Sequence, residues 1–262
     1  MRAVSVVSAI ALSLLCMPLA AQQPARLQVR LATLEWPPYV GSALVGQGYV
    51  AEVVRDACAR HGVEVQIDVM PWARALMLGL RGDYAGVMPE YRSTRREAEF
   101  AFSASFPGGP VGLYRRRSDA IAYAHDPSDD LDAALRSVSQ YRIGIVRDYI
   151  NNATFDRASY LKREEAASDS VNLRKLAHGR VDLAFADRWV AEYLLRTDPL
   201  LRGAELEMLQ PPIEEPALHI AWSRQSDVAA VARPACDAGL AELLGDGTIE
   251  QLRKRHGLSS SP

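Results

Sequence analysis

Two charged residues occupy positions suited to ligand chemistry: Arg96, inside the stretch Gly82 to Phe106, and Asp187, at the end of the run Gly179 to Asp187. Ser93 suits a helix N-cap, which puts Arg96 in the first turn beside free backbone N–H groups. Both attract an anion, and a guanidinium grips a carboxylate with two parallel bonds. A surface helix with a solvated basic face is the competing reading. Asp187 precedes the helical run Arg188 to Leu195, so it suits an N-cap, an ammonium reader, or both. Glu35 and Glu90 could act as acid and base if both reached one cleft; surface or capping carboxylates are the plainer expectation.

The elements that must position these residues follow from periodicity. Leu27, Val29 and Leu31 alternate with polar residues as a half-buried strand does, and Val63, Val65, Ile67 and Val69 do the same. Between them, Val50, Val53, Val54, Ala57 and Cys58 share one helical face, and Gly62 stops the helix. Strand, helix, strand argues for a crossover in an α/β layer. Pro71-Trp72-Ala73-Arg74 opens a second helix, with Ala73, Leu76, Met77 and Leu80 expected inward. Tyr84 to Met88 reads as a strand, Pro89 to Thr94 as a polar corner, and Arg95 to Glu99 as a short helix. The order helix, Gly, strand, charged corner returns over Asn172 to Asp187. This is one structural device used once in each of two lobes, with Arg96 and Asp187 facing each other across a cleft. Tyr141 to Val146 is a strand whose C-terminal end carries Asp148 and Tyr149, the edge where open α/β sheets bind ligands. Glu35-Trp36-Pro37-Pro38-Tyr39 is a stiff aromatic turn, read either as a pocket wall or as a loop packed on the core. Pro107 to Pro110, with two Gly between two Pro, is a candidate hinge.

With 262 residues, 48% of them hydrophobic, the chain has ample core for one or two domains. A net charge of −2 gives no reason to expect nucleic acid or an anionic membrane surface as a partner. Met1 to Ala21 reads as a secretory leader: Arg2, an apolar run, Pro18, then Ala20-Ala21. Export leaves Cys58 and Cys236. An oxidising compartment permits a bridge, but two buried free thiols on apolar helix faces are the expected state. The five His are scattered without ligand spacing, and neither a Gly-x-Ser-x-Gly elbow nor a Gly-x-x-x-x-Gly-Lys loop occurs. Neither a metal nor a cofactor is expected.

Tyr91-Arg92-Ser93-Thr94-Arg95-Arg96-Glu97, followed by Ala101-Phe102-Ser103, resembles the T-x-x-R…F-S-x-P signature of bacterial extracellular solute-binding proteins, family 3. Leu243 to Ile249 is similar to that family's L-x-x-D-G-T turn, and the likeness runs from Leu27 to Gly257. It implies a type II periplasmic-binding-protein fold: two lobes, each a mixed sheet flanked by helices, with the ligand cleft between them. The implied division is a leader (1–21), lobe 1 (22–108), lobe 2 (109–215) and a return to lobe 1 (216–262). The resemblance further implies a monomeric periplasmic receptor that delivers a small polar ligand, an amino acid or a relative, to an ABC transporter permease. Arg96 would take the ligand carboxylate and Asp187 its ammonium. Ser93 and Tyr91 would donate at the corner, and Trp36, Tyr39 and Trp72 would form apolar walls, with Arg74 and Tyr149 at the cleft. Asp148-Tyr149 replaces the family's Gly-Thr, and Pro89 removes a backbone donor, so an unusual ligand is credible. Some relatives are periplasmic dehydratases of cyclic carboxylates; on that reading Glu35 or Glu90 is the acid. Presentation of ligand to a sensor kinase is a third reading.

Overall fold

A computed structural model describes residues 26–258; the leader read over 1–21 lies outside them. Strand β1 (Leu27–Thr33) leads to helix α1 (Tyr49–Arg60), β2 (Val63–Val69), α2 (Trp72–Arg81), β3 (Gly86–Tyr91), α3 (Thr94–Glu99) and β4 (Phe100–Phe102). The chain then passes through 103–110 into β5 (Val111–Arg116), α4 (Leu131–Ser137), β6 (Arg142–Val146), α5 (Ala153–Arg157) and β7 (Lys162–Ala166). It continues through α6 (Asp169–Ala177), β8 (Leu183–Asp187), α7 (Arg188–Thr197) and β9 (Leu206–Met208). It returns as β10 (Leu218–Ser223), α8 (Asp227–Gly245) and α9 (Thr248–Arg255).

Two five-stranded sheets result, ordered β2-β1-β3-β10-β4 and β7-β6-β8-β5-β9. In each, four strands run one way and one, β10 or β5, runs antiparallel to both its neighbours. This is the two-lobed periplasmic-binding-protein-like fold. Helix α2 before β3 and helix α6 before β8 both stop at a glycine with positive φ, Gly82 (79°) and Gly179 (68°), which has no Cβ to clash there. The two central strands, β3 and β8, therefore end at equivalent edges of their sheets.

Three features depart from the sequence reading. Helix α2 buries Ala75, Leu76 and Gly79, and leaves Ala73, Met77 and Leu80 exposed, because Gly79 lets the helix lie against Val87 and Phe100. Strand β3 runs on through Pro89 to Tyr91, where a corner was expected. Met88 and Pro89 together stand opposite the single Ile220 of β10, so the missing proline N–H falls in a bulge and costs no ladder bond. Finally, Cys58 and Cys236 are not free thiols: a disulfide joins α1 to α8, with Cα atoms 4.2 Å apart. Gly239, one turn beyond Cys236, admits the backbone of Ala57, and this close crossing of the helices brings the sulfurs together.

A core cluster on the α1 and α8 face of the first sheet extends to Val190 on α7, with Tyr149 and Trp189 packed against it, so it spans both lobes. The crossover residues sit under this junction. A Cβ on Gly109 would strike the Trp189 ring and the Tyr39 hydroxyl.

Candidate ligand-binding site

The corner after β3 is built as its residue types dictate. Ser93 caps α3, its Oγ accepting from the Arg96 N–H at 3.2 Å. Arg96 is only 2% exposed, so its charge must be answered locally. Each of its three nitrogens donates to a protein oxygen: Nε to Glu90 Oε2 at 2.9 Å, Nη1 to Glu99 Oε2 at 2.9 Å, and Nη2 to the Asp148 carbonyl at 2.8 Å. The last bond crosses from the first lobe to the second. Asp148 holds a positive φ of 64°, which turns the chain at the end of β6 and brings Tyr149 against Trp72 edge-on at 6.4 Å between centroids.

Glu90, expected among surface or capping carboxylates, is buried at 4% exposure. It follows the bulge directly, and bulges re-aim the side chains beside them. Its Oε1 accepts from the Tyr91 N–H at 3.0 Å. Burial pushes its carboxyl up to about 7, although the Arg96 guanidinium pulls the other way.

At the matching edge of the second sheet, Asp187 uses both oxygens. Oδ1 caps α7, accepting from the Trp189 N–H (2.8 Å) and the Val190 N–H (3.2 Å). Oδ2 accepts from the hydroxyls of Tyr39 (2.9 Å) and Tyr91 (3.5 Å), both from the first lobe. Burial raises its carboxyl to about 7 against the pull of these donors. Asp169 is a third buried acid at this junction; no part of the sequence reading singled it out. It begins α6, three residues before the expected start, and accepts from the Tyr149 hydroxyl at 3.1 Å. Burial raises it to about 6, and the nearby Trp36 indole N–H draws it down without completing a hydrogen bond. The Ser168 N-cap was the signal that could have placed it.

Between the lobes lies a narrow cavity of about 30 Å³, open at its mouth. Trp36, Trp72, Glu90 and Tyr91 line it from the first lobe, and Tyr149 and Ile150 from the second. Of the residues expected at the site, Trp36, Trp72, Tyr91 and Tyr149 therefore share one cavity. Tyr39 and Asp187 form the clasp beside it, with Tyr39 stacked on Trp36 at 4.5 Å. Arg96 and Ser93 stand behind its wall, and Arg74 is exposed on α2. Glu35 is exposed and holds the backbone N–H of Ser42 at 3.1 Å. Among the described residues there is no cluster of His, Cys, Asp and Glu able to hold a metal ion, and no helix is long and apolar enough to cross a membrane.

Comparisons with known proteins agree with this geometry at the level of fold. No family model and no curated protein matches the sequence. Among solved structures, a histidine kinase sensor domain with similarity to periplasmic binding proteins superposes with a TM-score of 0.75 at 19% identity, over 89% of this chain and 97% of that one. The GluR0 ligand-binding core from Nostoc punctiforme, in complex with L-glutamate, gives 0.70 at 17%, over 88% and 100%. An ancestral arginine-binding protein bound to arginine gives 0.68 at 16%, over 88% and 98%.

Proposed function

We propose that the chain is an exported solute receptor. Its lobes close over a small polar ligand bearing an ammonium group, an amino acid or a related compound, and the closed form is presented to an ABC transporter permease. The observation that carries this reading is the cavity walled by both lobes, beside a clasp in which Tyr39 and Tyr91 of one lobe donate to Asp187 of the other. A ligand touching both walls favours the closed arrangement by its differential affinity for it. In this reading Trp36, Trp72, Tyr91 and Tyr149 supply the walls, and Asp187 holds the lobes together over the ligand through the clasp. Arg96, held by Ser93 at the corner, links the lobes through the Asp148 carbonyl. The leader over 1–21 places the receptor in the periplasm, where the Cys58–Cys236 bridge is stable. The monomer is the working unit.

A thermal-shift screen against amino acids, amines, small carboxylates and sugars tests this. A ligand that binds only the folded state raises the melting temperature, by about 2.7 kcal/mol of stabilisation at a hundred times its Kd. A shift with a nitrogen-bearing solute that Asp187→Asn abolishes is the expected result. A screen in which only sugars or simple carboxylates act would overturn the ammonium assignment, and silence throughout would overturn the receptor reading.

A further inference from the structure

We infer that the ligand is an organic ammonium cation without a carboxylate, bound with its charged nitrogen against Glu90 inside the aromatic box of Trp36, Trp72, Tyr91 and Tyr149. This rests on the receptor reading above and names the ligand class for that cavity.

The cavity wall contributes one charged group, and it is an acid. The guanidinium that would receive a ligand carboxylate, Arg96, does not line the cavity, and its three nitrogens are already held by Glu90, Glu99 and the Asp148 carbonyl. Glu90 and Glu99 thus answer the guanidinium's charge from the protein's own side. An α-amino acid entering here would bring its carboxylate beside the Glu90 carboxyl, into a space walled by apolar and aromatic groups with no cation in its lining to answer it. A cation meets the opposite field. Aromatic rings have electron-rich faces over which ammonium groups bind, and four of them line this cavity. Behind the rings, the Tyr91 hydroxyl donates to Asp187 and the Tyr149 hydroxyl to Asp169, so the wall is backed by two further acids. Charged groups of this junction are therefore Glu90, Glu99, Asp169 and Asp187 against Arg96. The remaining lining, Leu34, Pro89, Ile150 and Leu218, is apolar and suits a hydrocarbon body.

The test pairs each amino acid with the amine it yields on decarboxylation: phenylalanine with phenethylamine, tyrosine with tyramine, arginine with agmatine, lysine with cadaverine, histidine with histamine, with choline added. Calorimetric titration of the purified protein should find at least one of these amines binding at least tenfold more tightly than its parent amino acid, or choline binding where every amino acid fails. Glu90→Gln should weaken that cation at least tenfold. Because this variant disturbs a buried ion pair, Trp72→Leu, at a half-buried position, provides a second reading and should also weaken the cation at least tenfold. An amino acid that binds as well as or better than its amine overturns this inference while leaving the receptor reading intact. So does a cation whose affinity survives folded Glu90→Gln or Trp72→Leu. Failure of every amine, amino acid, carboxylate and sugar overturns both.

Discussion

Asp187 serves two elements at once, one oxygen capping α7 and the other receiving hydroxyls from the opposite lobe. That double use, made in a dry junction, leaves its carboxyl at about 7, with Glu90 at about 7 and Asp169 at about 6 nearby. All three lie above the ordinary carboxylate range of about 4, so the folded state holds extra protons. Their contribution to stability is full below about pH 4 and is lost as pH rises through 6 to 7. The rise for Asp187 is worth at most about 4 kcal/mol. His219 opposes the trend, since burial lowers it and favours the fold as pH rises, but it is one group against three. The melting temperature of the ligand-free protein should therefore fall by several degrees between pH 5 and pH 8, and Asp187→Asn should flatten the slope. Calorimetric scans at four pH values check this; an unchanged slope in the variant would mean that Asp187 does not titrate in this window. Asp187, Arg96 and Ser93 were legible in the sequence because capping chemistry and strand-to-helix spacing are local. Glu90 and Asp169 were not. Glu90 is aimed inward by a bulge whose partner, Ile220, lies some 130 residues on, and nothing near Glu90 announces that pairing.

The elements divide in the same way. Strands with alternating apolar residues, β1 and β2, and helices with a clear apolar stripe and a glycine stop declare themselves. Strand β7, Lys162–Ala166, does not: its Lys-Arg-Glu-Glu-Ala sequence is polar on both faces, and only the parallel ladder with β6 at the sheet edge makes it a strand. The exposed Ala73, Met77 and Leu80 stripe on α2 misled for a related reason, since a small residue, Gly79, decides which face can approach the sheet. The pairing of Cys58 with Cys236 was beyond reach because it depends on how α1 and α8 cross. Its consequence is measurable. The bridge closes a loop of 178 residues, worth about 5 kcal/mol in the chain-entropy account. The double variant Cys58→Ala, Cys236→Ala should lose several kcal/mol in urea denaturation with little change of native circular dichroism. The reductant concentration that destabilises the wild type should leave the variant unaffected. Equal stability of the two proteins under oxidising conditions would show that the bridge does not form.

At the scale of the whole molecule, the crossover between the lobes bears on how closely they approach. Gly109 is a close point: its missing side chain leaves room for the Trp189 ring from the second lobe and the Tyr39 hydroxyl from the first. Neither neighbour can yield cheaply. The hydroxyl is fixed by its bond to Asp187 and the ring by its packing at the base of α7. Gly109→Ala should therefore break the clasp and hold the lobes apart, stripping Val190 and Trp189 from the shared cluster while the rest of each lobe's core stays packed. Small-angle scattering should show a larger radius of gyration than wild type, tryptophan emission should move to the red as Trp189 meets water, and the affinity for the ligand should fall at least tenfold. Gly245→Ala is the control, because a Cβ at the end of α8 meets nothing within 4 Å. It should leave the scattering curve unchanged and, by restricting the unfolded chain, add up to about 1 kcal/mol of stability. If Gly109→Ala scatters as wild type does and binds as well, the approach of the lobes is not limited at this point and the clasp is not what holds them closed.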